Sequence, residues 1–277
     1  MKLNIGISPC PNDTFIFDAI YNRKMDTSPY EFEFIFEDVQ TLNEMAMKGH
    51  LDIVKLSYAH YFSVMPQYIM MRSGSALGYG TGPLLIGRNL LSDQEIEAGP
   101  IAIPGKYTTA GFLLAYAYPG ALHTTEMVFS QIEQCVLNGQ AQAGVIIHEN
   151  RFTYAEKGLM KIADLGEIWE SRTGLPIPLG GIAIRRNLPA MVHQYLNSMI
   201  SQSVLIANAK YPELSSFIQS HAREMSEEVM RQHIHLYVNE NSIDITSSGL
   251  LAVEKMKEMI APFSTLPLFI PHSDDRN

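Results

Sequence analysis

The stretch Lys2–Tyr21, KLNIGISPCPNDTFIFDAIY, sets a strand, a stiff loop and a helix in immediate succession. Leu3, Ile5 and Ile7 alternate with Asn4 and Gly6 as a strand requires. Phe15, Phe17, Ala19, Ile20 and Met25 give a helical face that can pack back on that strand. Pro9 and Pro11 each fix a φ angle and push the preceding residue to extended geometry, so the turn reaches the helix start already ordered. Asn12 or Asp13 is placed to cap the helix. First-turn N–H groups at the carboxyl end of a strand are where an α/β protein holds an anionic or carbonyl ligand. Taken alone, the loop reads equally as a Pro-rich surface turn.

The same plan recurs along the chain. Phe32, Phe34 and Phe36 alternate with glutamates as a second strand, and Leu42 to Lys48 reads as a helix closed by Gly49. Ile53 to Leu56 is a third strand, delivering Ser57 at its carboxyl end, and Tyr68 to Arg72 and Leu84 to Gly87 follow around a Gly-rich connection from Gly74 to Gly82. The plan restarts with Ile101 to Ile103 as a strand, Pro104 to Gly111 as a loop and Phe112 to Tyr118 as a helix. Glu126 to Phe129 reads as a strand, Ile132 to Leu137 as a helix stopped by Gly139, and Ala143 to Ile147 as an apolar strand ending on His148, Glu149, Asn150 and Arg151. Gly180 to Ile184 is a returning strand, and after Pro189 the pattern is helical: Pro189 to Lys210, Pro212 to Arg223, Ser226 to Tyr237 and Ser247 to Met259.

Strands alternating with helices imply βαβ units and largely parallel sheets. Two such sets with a helical tail predict two α/β domains, residues 1–88 with 183–277 and residues 89–182, with two crossing strands as a hinge. Four loops, Ser8 to Thr14, Lys55 to Tyr58, Pro104 to Gly111 and His148 to Arg151, then fall beyond carboxyl strand ends and are expected to face one another across an interdomain cleft.

Composition narrows the partner. With 46% apolar and 18% charged residues in 277, the chain reads as an ordinary globular protein, and no run approaches the roughly 18 apolar residues of a membrane helix. The amino-terminal residues are too interrupted for a secretory signal, so a cytoplasmic location is expected. Twenty basic against twenty-nine acidic residues, net −9, with no basic stripe, argue against nucleic acid and for a small-molecule partner. Cys10 and Cys135 form no CxxC pair, so neither zinc nor a disulfide is indicated. Gly78, Gly80 and Gly82 precede a strand instead of following one, which voids a dinucleotide reading. The sequence leaves the oligomeric state open.

Among nine histidines, His148 follows a buried-looking strand, and a neutral imidazole there, with Glu149 nearby to orient it, can act as a base; a strand-end histidine satisfied by backbone is the other reading. His233 and His235 point to different helix faces and read as structural. Ser57 lacks a GxSxG elbow and reads as a binder. Thr108, Thr109 and Ala110 bring hydroxyls and backbone N–H groups to a helix start that suits a carboxylate, or simply a threonine cap. Cys10 between its prolines reads better as a packed small residue than as a nucleophile.

The motifs SPCPNDTF at 8–15, KLSYA at 55–59, TTA at 108–110, GVIIHENRFTY at 144–154 and RTGLPIPLG at 172–180 together resemble the 1,4-dihydroxy-6-naphthoate synthase family of the futalosine route to menaquinone. Asn150 departs from the smaller Ser or Gly expected in that family. The resemblance implies a type II periplasmic-binding-protein-like fold, cyclic dehypoxanthine futalosine as substrate, a naphthoate carboxylate as product, a lyase reaction and no cofactor; the histidines show no metal-ligand spacing, so no metal is expected. It also implies His148 as proton acceptor, with Lys55, Leu56 and Ser57 as one substrate-binding strip and Thr109 with Ala110 as another; Asn12, on the first loop, joins the binding set. A chorismate dehydratase of the same pathway and a non-catalytic small-acid binding protein are the alternatives that share the fold.

Overall fold

A computed structural model describes residues 1–148, 150–222 and 225–272. Residues 1–78 carry β1 (Lys2–Ile7), α1 (Pro11–Tyr21), β2 (Glu31–Phe36), α2 (Val39–Met47), β3 (Ile53–Ser57), α3 (Tyr58–Val64), β4 (Tyr68–Met70) and β5 (Ala76–Gly78). There follow β6 (Leu84–Gly87), α4 (Asp93–Ala98), β7 (Ile101–Ile103), α5 (Thr109–Ala117), β8 (Thr124–Glu126), α6 (Ile132–Leu137), β9 (Ala143–Ile146), α7 (Asn150–Thr153), β10 (Met160–Asp164) and α8 (Leu165–Thr173). The chain ends with β11 (Ile177–Arg185), α9 (Ala190–Asn208), α10 (Ser216–His221), α11 (Glu227–Tyr237), α12 (Glu240–Ile243) and α13 (Ser247–Ile260).

These elements form two compact units, residues 1–78 with 178–277 and residues 79–177. The first is built on a sheet of order β2-β1-β3-β11-β4, with β5 paired to β11. β1 runs parallel to β2 and β3, and β11 is antiparallel to β3 and β4. Leu3, Ile5 and Ile7 turn inward against Ile16, Phe17 and Ile20 of α1 and Leu196 and Ile200 of α9, so the strand alternation read in the opening stretch makes the core; of the helical face, Phe17 and Ile20 join it, whereas Phe15 packs separately with Ala207, Ile218 and Ile234 and Ile16 takes its place. The phenylalanines of β2 extend it: Phe34 meets Phe17 edge-on at 5.9 Å.

The second unit has the sheet β10-β6-β9-β7-β8, in which β7 is parallel to β8 and β9 while β6 is antiparallel to β9 and β10. Its core gathers Leu84, Ile86, Ala102, Ile132, Val136 and Ile146. Trp169 of α8 is fully buried and donates its indole N–H to Pro176 O at 3.0 Å.

Several local readings shift. The chain leaves the first unit at Gly78, earlier than residue 88, because β6 pairs with β9 and β10 and so belongs to the second sheet, and it returns at Ile177, earlier than residue 182, where β11 of the first sheet begins. A strand lies at Thr124–Glu126, not at Glu126 to Phe129, where residues 129–131 form a 3-10 turn. That strand is exposed along its length and is held by backbone pairing to β7, so it has no apolar alternation to read. The Gly-rich connection hides β5, and the structure adds α4, β10 and α8. Neither Asn12 nor Asp13 caps α1: Cys10 is the cap residue, Pro11 occupies the first turn, and no side-chain capping hydrogen bond forms.

Candidate active site

In the first unit, three parallel strands run at their carboxyl ends almost directly into helices, β1 into α1, β2 into α2 and β3 into α3. Asp13, one turn into α1 and 1% exposed, is the hub of this edge. Its carboxylate accepts from Ser8 Oγ at 2.6 Å, from the Ser8 amide at 3.3 Å and from Asn12 Nδ2 at 2.9 Å. Lys55 Nζ, also buried, stands 2.8 Å from Asp13 Oδ1 at ion-pair distance. The angle makes this no directed hydrogen bond, so the ammonium keeps its donors unspent among the described residues. A buried ammonium with a buried counter-charge and unspent donors is suited to meet an oxygen-rich ligand.

Ser57 ends β3, and its amide and hydroxyl are both engaged by Asn43 of α2: the amide donates to Asn43 Oδ1 at 3.2 Å and the hydroxyl accepts from Asn43 Nδ2 at 3.3 Å. That leaves the Ser57 hydroxyl its proton to donate elsewhere. Leu56 points to the other face of the strand and is fully buried, so only its backbone is available at this edge. Gly180 on the neighbouring β11 is opposite Ser57, and a Cβ there would sit 2.8 Å from Leu56 O and 3.3 Å from Lys55 Cε. The close approach of β11 to Lys55 therefore needs a glycine. Behind the strand, burial lowers the His60 pKa and so favours its neutral form, and burial pushes the Tyr61 hydroxyl up to about 12.

In the second unit, β7 and β9 are parallel neighbours, so the loops after them lie at one edge of one sheet. The loop after β7 turns at Gly105, φ 141°, a conformation that glycine adopts freely. Its shape is pinned by Thr108 Oγ1 donating to Gly105 O at 2.7 Å and by the Lys106 amide donating to Glu126 at 3.0 Å. Thr108, not Thr109, caps α5, accepting from the Gly111 amide at 3.1 Å. The amides of Thr109 and Ala110 precede the first intrahelical donor, the Phe112 amide that bonds Thr108 O, and lie at the positive end of the helix, a setting that suits a carboxylate.

The loop after β9 places His148, half-buried, with φ 58°, one of two non-glycine residues in the left-handed region among those described. Its ring meets Phe129 edge-on, centroids 5.2 Å apart. Glu149, read as its orienting partner, lies outside the described residues. Within the first unit Asn12 and Lys55 meet at Asp13, with Ser57 two residues further along β3; within the second, Thr109 with Ala110 and His148 follow parallel neighbouring strands.

Sequence reading missed Asp13 as hub and Asn43 as the residue holding Ser57. A lysine inside the apolar run IVKLS was the available signal, since burying an ammonium calls for a carboxylate. His233, read as structural, is fully buried and has a ring nitrogen within 4.8 Å of Cys10 Sγ. That thiol is buried, as expected of a packed residue.

Two largely parallel sheets, each with one antiparallel strand beside the chain's crossing points, and ligand-competent loops at the carboxyl strand ends define a periplasmic-binding-protein-like fold. Solved structures of the same architecture include the alkanesulfonate-binding protein of Xanthomonas axonopodis pv. citri, TM-score 0.72 at 11% identity over 96% of this chain and 94% of that one. A protein of Archaeoglobus fulgidus is much nearer, at TM-score 0.88 and 31% identity over 93% and 96% of the two chains. Residues 3–262 match the family model described as menaquinone biosynthesis, and the chain belongs to that family. Curated relatives named 1,4-dihydroxy-6-naphthoate synthase are 43% identical in Thermus thermophilus, over 97% of this chain and 99% of that one, and 38% identical in Streptomyces coelicolor, over 97% and 96%.

Proposed function

We infer that the chain is a lyase that converts cyclic dehypoxanthine futalosine to 1,4-dihydroxy-6-naphthoate in menaquinone biosynthesis. The observation that carries this reading is identity of 43% and 38% along nearly the whole length of two relatives named for that product. In this reading His148 removes a proton next to a carbonyl, the sugar-derived fragment leaves with C–C cleavage, and aromatisation drives the step forward. Thr109 and Ala110 hold the carboxylate through first-turn amides, while Lys55, Ser57 and Asn12 supply donors to substrate oxygens and Leu56 contributes backbone. No described helix is long and apolar enough to cross a membrane, and the reaction is assigned to the cytoplasm.

Incubating the purified protein with cyclic dehypoxanthine futalosine, and separately with chorismate, and following products by mass spectrometry tests the assignment. Release of the naphthoate from the first substrate is expected. Dehydration of chorismate would move the chain to the sister activity, and ligand binding without turnover of either would make it a receptor.

A further inference from the structure

The helical run that begins at the 3-10 turn Phe129–Gln131 and continues as α6 touches the His148 segment twice. Phe129 sets its ring against the His148 imidazole. One turn on, Glu133, 4% exposed, accepts from Asn150 Nδ2 at 3.0 Å and from Lys157 Nζ at 2.6 Å. Asn150 is itself buried and opens α7, two residues after His148; Lys157 closes the 3-10 turn that follows α7. A third tie comes from Arg151, whose Nη1 donates to Gly82 O at 2.8 Å and whose Nη2 lies 3.7 Å from Asp164.

A buried carboxylate is expensive unless it is compensated, and here its compensation is spent on the two ends of the segment that follows His148. Both donors reach the same oxygen, Oε2, while Oε1 is buried without a hydrogen-bond partner. A pairing optimised for stability alone would use both oxygens; this one is organised around a single point, where the amide of Asn150 must arrive. His148 in turn holds a left-handed backbone that costs an ordinary residue of order 1–3 kcal/mol and persists only where its surroundings over-determine it.

We propose that Glu133 is a positioning residue for the catalytic base: through Asn150 it fixes the start of α7, and with Phe129 on the same helical run it holds the His148 imidazole in place on its left-handed backbone. This rests on the reading of His148 as base. It also gives Asn150 a task that the Ser or Gly expected from the family resemblance would not perform.

The test compares Asn150→Ser, Glu133→Ala, Glu133→Gln and Lys157→Gln with wild type, measuring kcat per folded site, KM, product affinity and thermal midpoint. A displacement of a catalytic group by about 1 Å can cost roughly 100-fold. Asn150→Ser is therefore expected to lower kcat by about 10- to 100-fold, with KM and product affinity within about threefold. Glu133→Gln keeps an oxygen for Asn150 and should retain most of kcat, whereas Glu133→Ala should not. Lys157→Gln cuts only the half-exposed end of the link and should cost less than Asn150→Ser. A folded Asn150→Ser enzyme with unchanged kcat, or equal losses in the Gln and Ala variants, overturns the proposal. His148→Asn and the ring resonances of His148 separate the two ideas. An unmoved His148 resonance in Asn150→Ser, with His148→Asn inactive, overturns the brace alone. A moved resonance with His148→Asn still active overturns the base assignment and leaves the brace standing.

Discussion

Asp13→Asn changes one charge and almost no volume, which makes it the cleanest probe of the first unit's edge. It leaves the buried Lys55 ammonium, whose side chain is 7% exposed, without its counter-charge at 2.8 Å. Removing one partner of a buried pair costs about 3–5 kcal/mol because the other charge stays in the interior. A second penalty follows from the hydrogen bonds. Donors from Ser8 Oγ, the Ser8 amide and Asn12 Nδ2 converge on both carboxylate oxygens. Asparagine offers one oxygen, so its NH2 must face a donor, at about 1–3 kcal/mol. Against a domain stability of about 5–15 kcal/mol, a loss of at least about 3 is expected.

Lys55→Met removes the other half of the pair and leaves an Asp13 carboxylate still bonded by Ser8 and Asn12, so it should cost less. The double variant should then be more stable than Asp13→Asn alone, with a coupling energy of about 2 kcal/mol. Urea unfolding should be followed by far-ultraviolet circular dichroism, since the single Trp169 reports on the second unit. With a slope of about 2–3 kcal/mol/M, the Asp13→Asn midpoint should fall by about 1 M or more at unchanged slope. A coupling below about 0.5 kcal/mol would refute the pairing argument, because independent sites add within that margin.

Three further outcomes are expected. His148→Asn should lower kcat by about two to four orders of magnitude with the fold intact by circular dichroism; turnover near wild type would remove it from the mechanism. Gly180→Ala should cost about 1–3 kcal/mol and weaken product binding, since its Cβ meets Leu56 O at 2.8 Å and Lys55 Cε at 3.3 Å; a neutral result in both assays would show that β11 can move aside. Burial lowers the pKa values of His60 and His193 from 6.5, so the unfolded chain binds more protons just below that pH. Their contribution is complete above about 6.5 and is lost as pH falls through the lowered folded values, so the urea midpoint should drop on acidification from pH 7. That slope should flatten in His193→Gln, whose native ring nitrogen is 2.9 Å from Arg185 O, and an unchanged slope would exclude His193 as a contributor.

What the sequence revealed, and what it hid, divides along a physical line. β1, β3 and β9 are buried strands bounded by turn residues, and their apolar runs stand out; the loops after them are legible because prolines, threonines and a terminal histidine mark them. β8, with the residues Thr124, Thr125 and Glu126, is exposed and owes its existence to a neighbour's backbone, which no local pattern records. β5 is three residues beside glycines and depends on pairing with β11, a hundred residues away. The supporting residues were hidden for the same reason. Asp13 reads locally as a cap, yet its partner Lys55 comes from another strand, and Glu133 looks like a solvent-facing helix residue until Asn150 and Lys157 are brought to it. The residues proposed to meet a ligand lie in or beside marked loops, whereas the residues that hold them are defined only by the fold.

The backbone at His148 separates a receptor frame from an enzyme in a way that stability can measure. Solute-binding proteins of this fold need only affinity, and fold alone does not fix function. A left-handed histidine at a strand end is a cost with no benefit to folding, one that a site requiring an aimed imidazole would keep. His148→Ala removes the imidazole and retains the strain, because Cβ crowds the carbonyl in the left-handed region. His148→Gly removes both. Both variants lose the Phe129 contact, so that loss cancels in the comparison. At an ordinary position alanine is the more stabilising of the two, by about 0.4–1 kcal/mol through the unfolded chain. Here the order should reverse, with His148→Gly more stable than His148→Ala by about 1 kcal/mol while both are inactive. Urea midpoints of the two variants, with circular dichroism as the probe, decide it: if alanine proves equal or better, the backbone at 148 is not strained in solution, and the aim of the imidazole must be set by side-chain contacts instead.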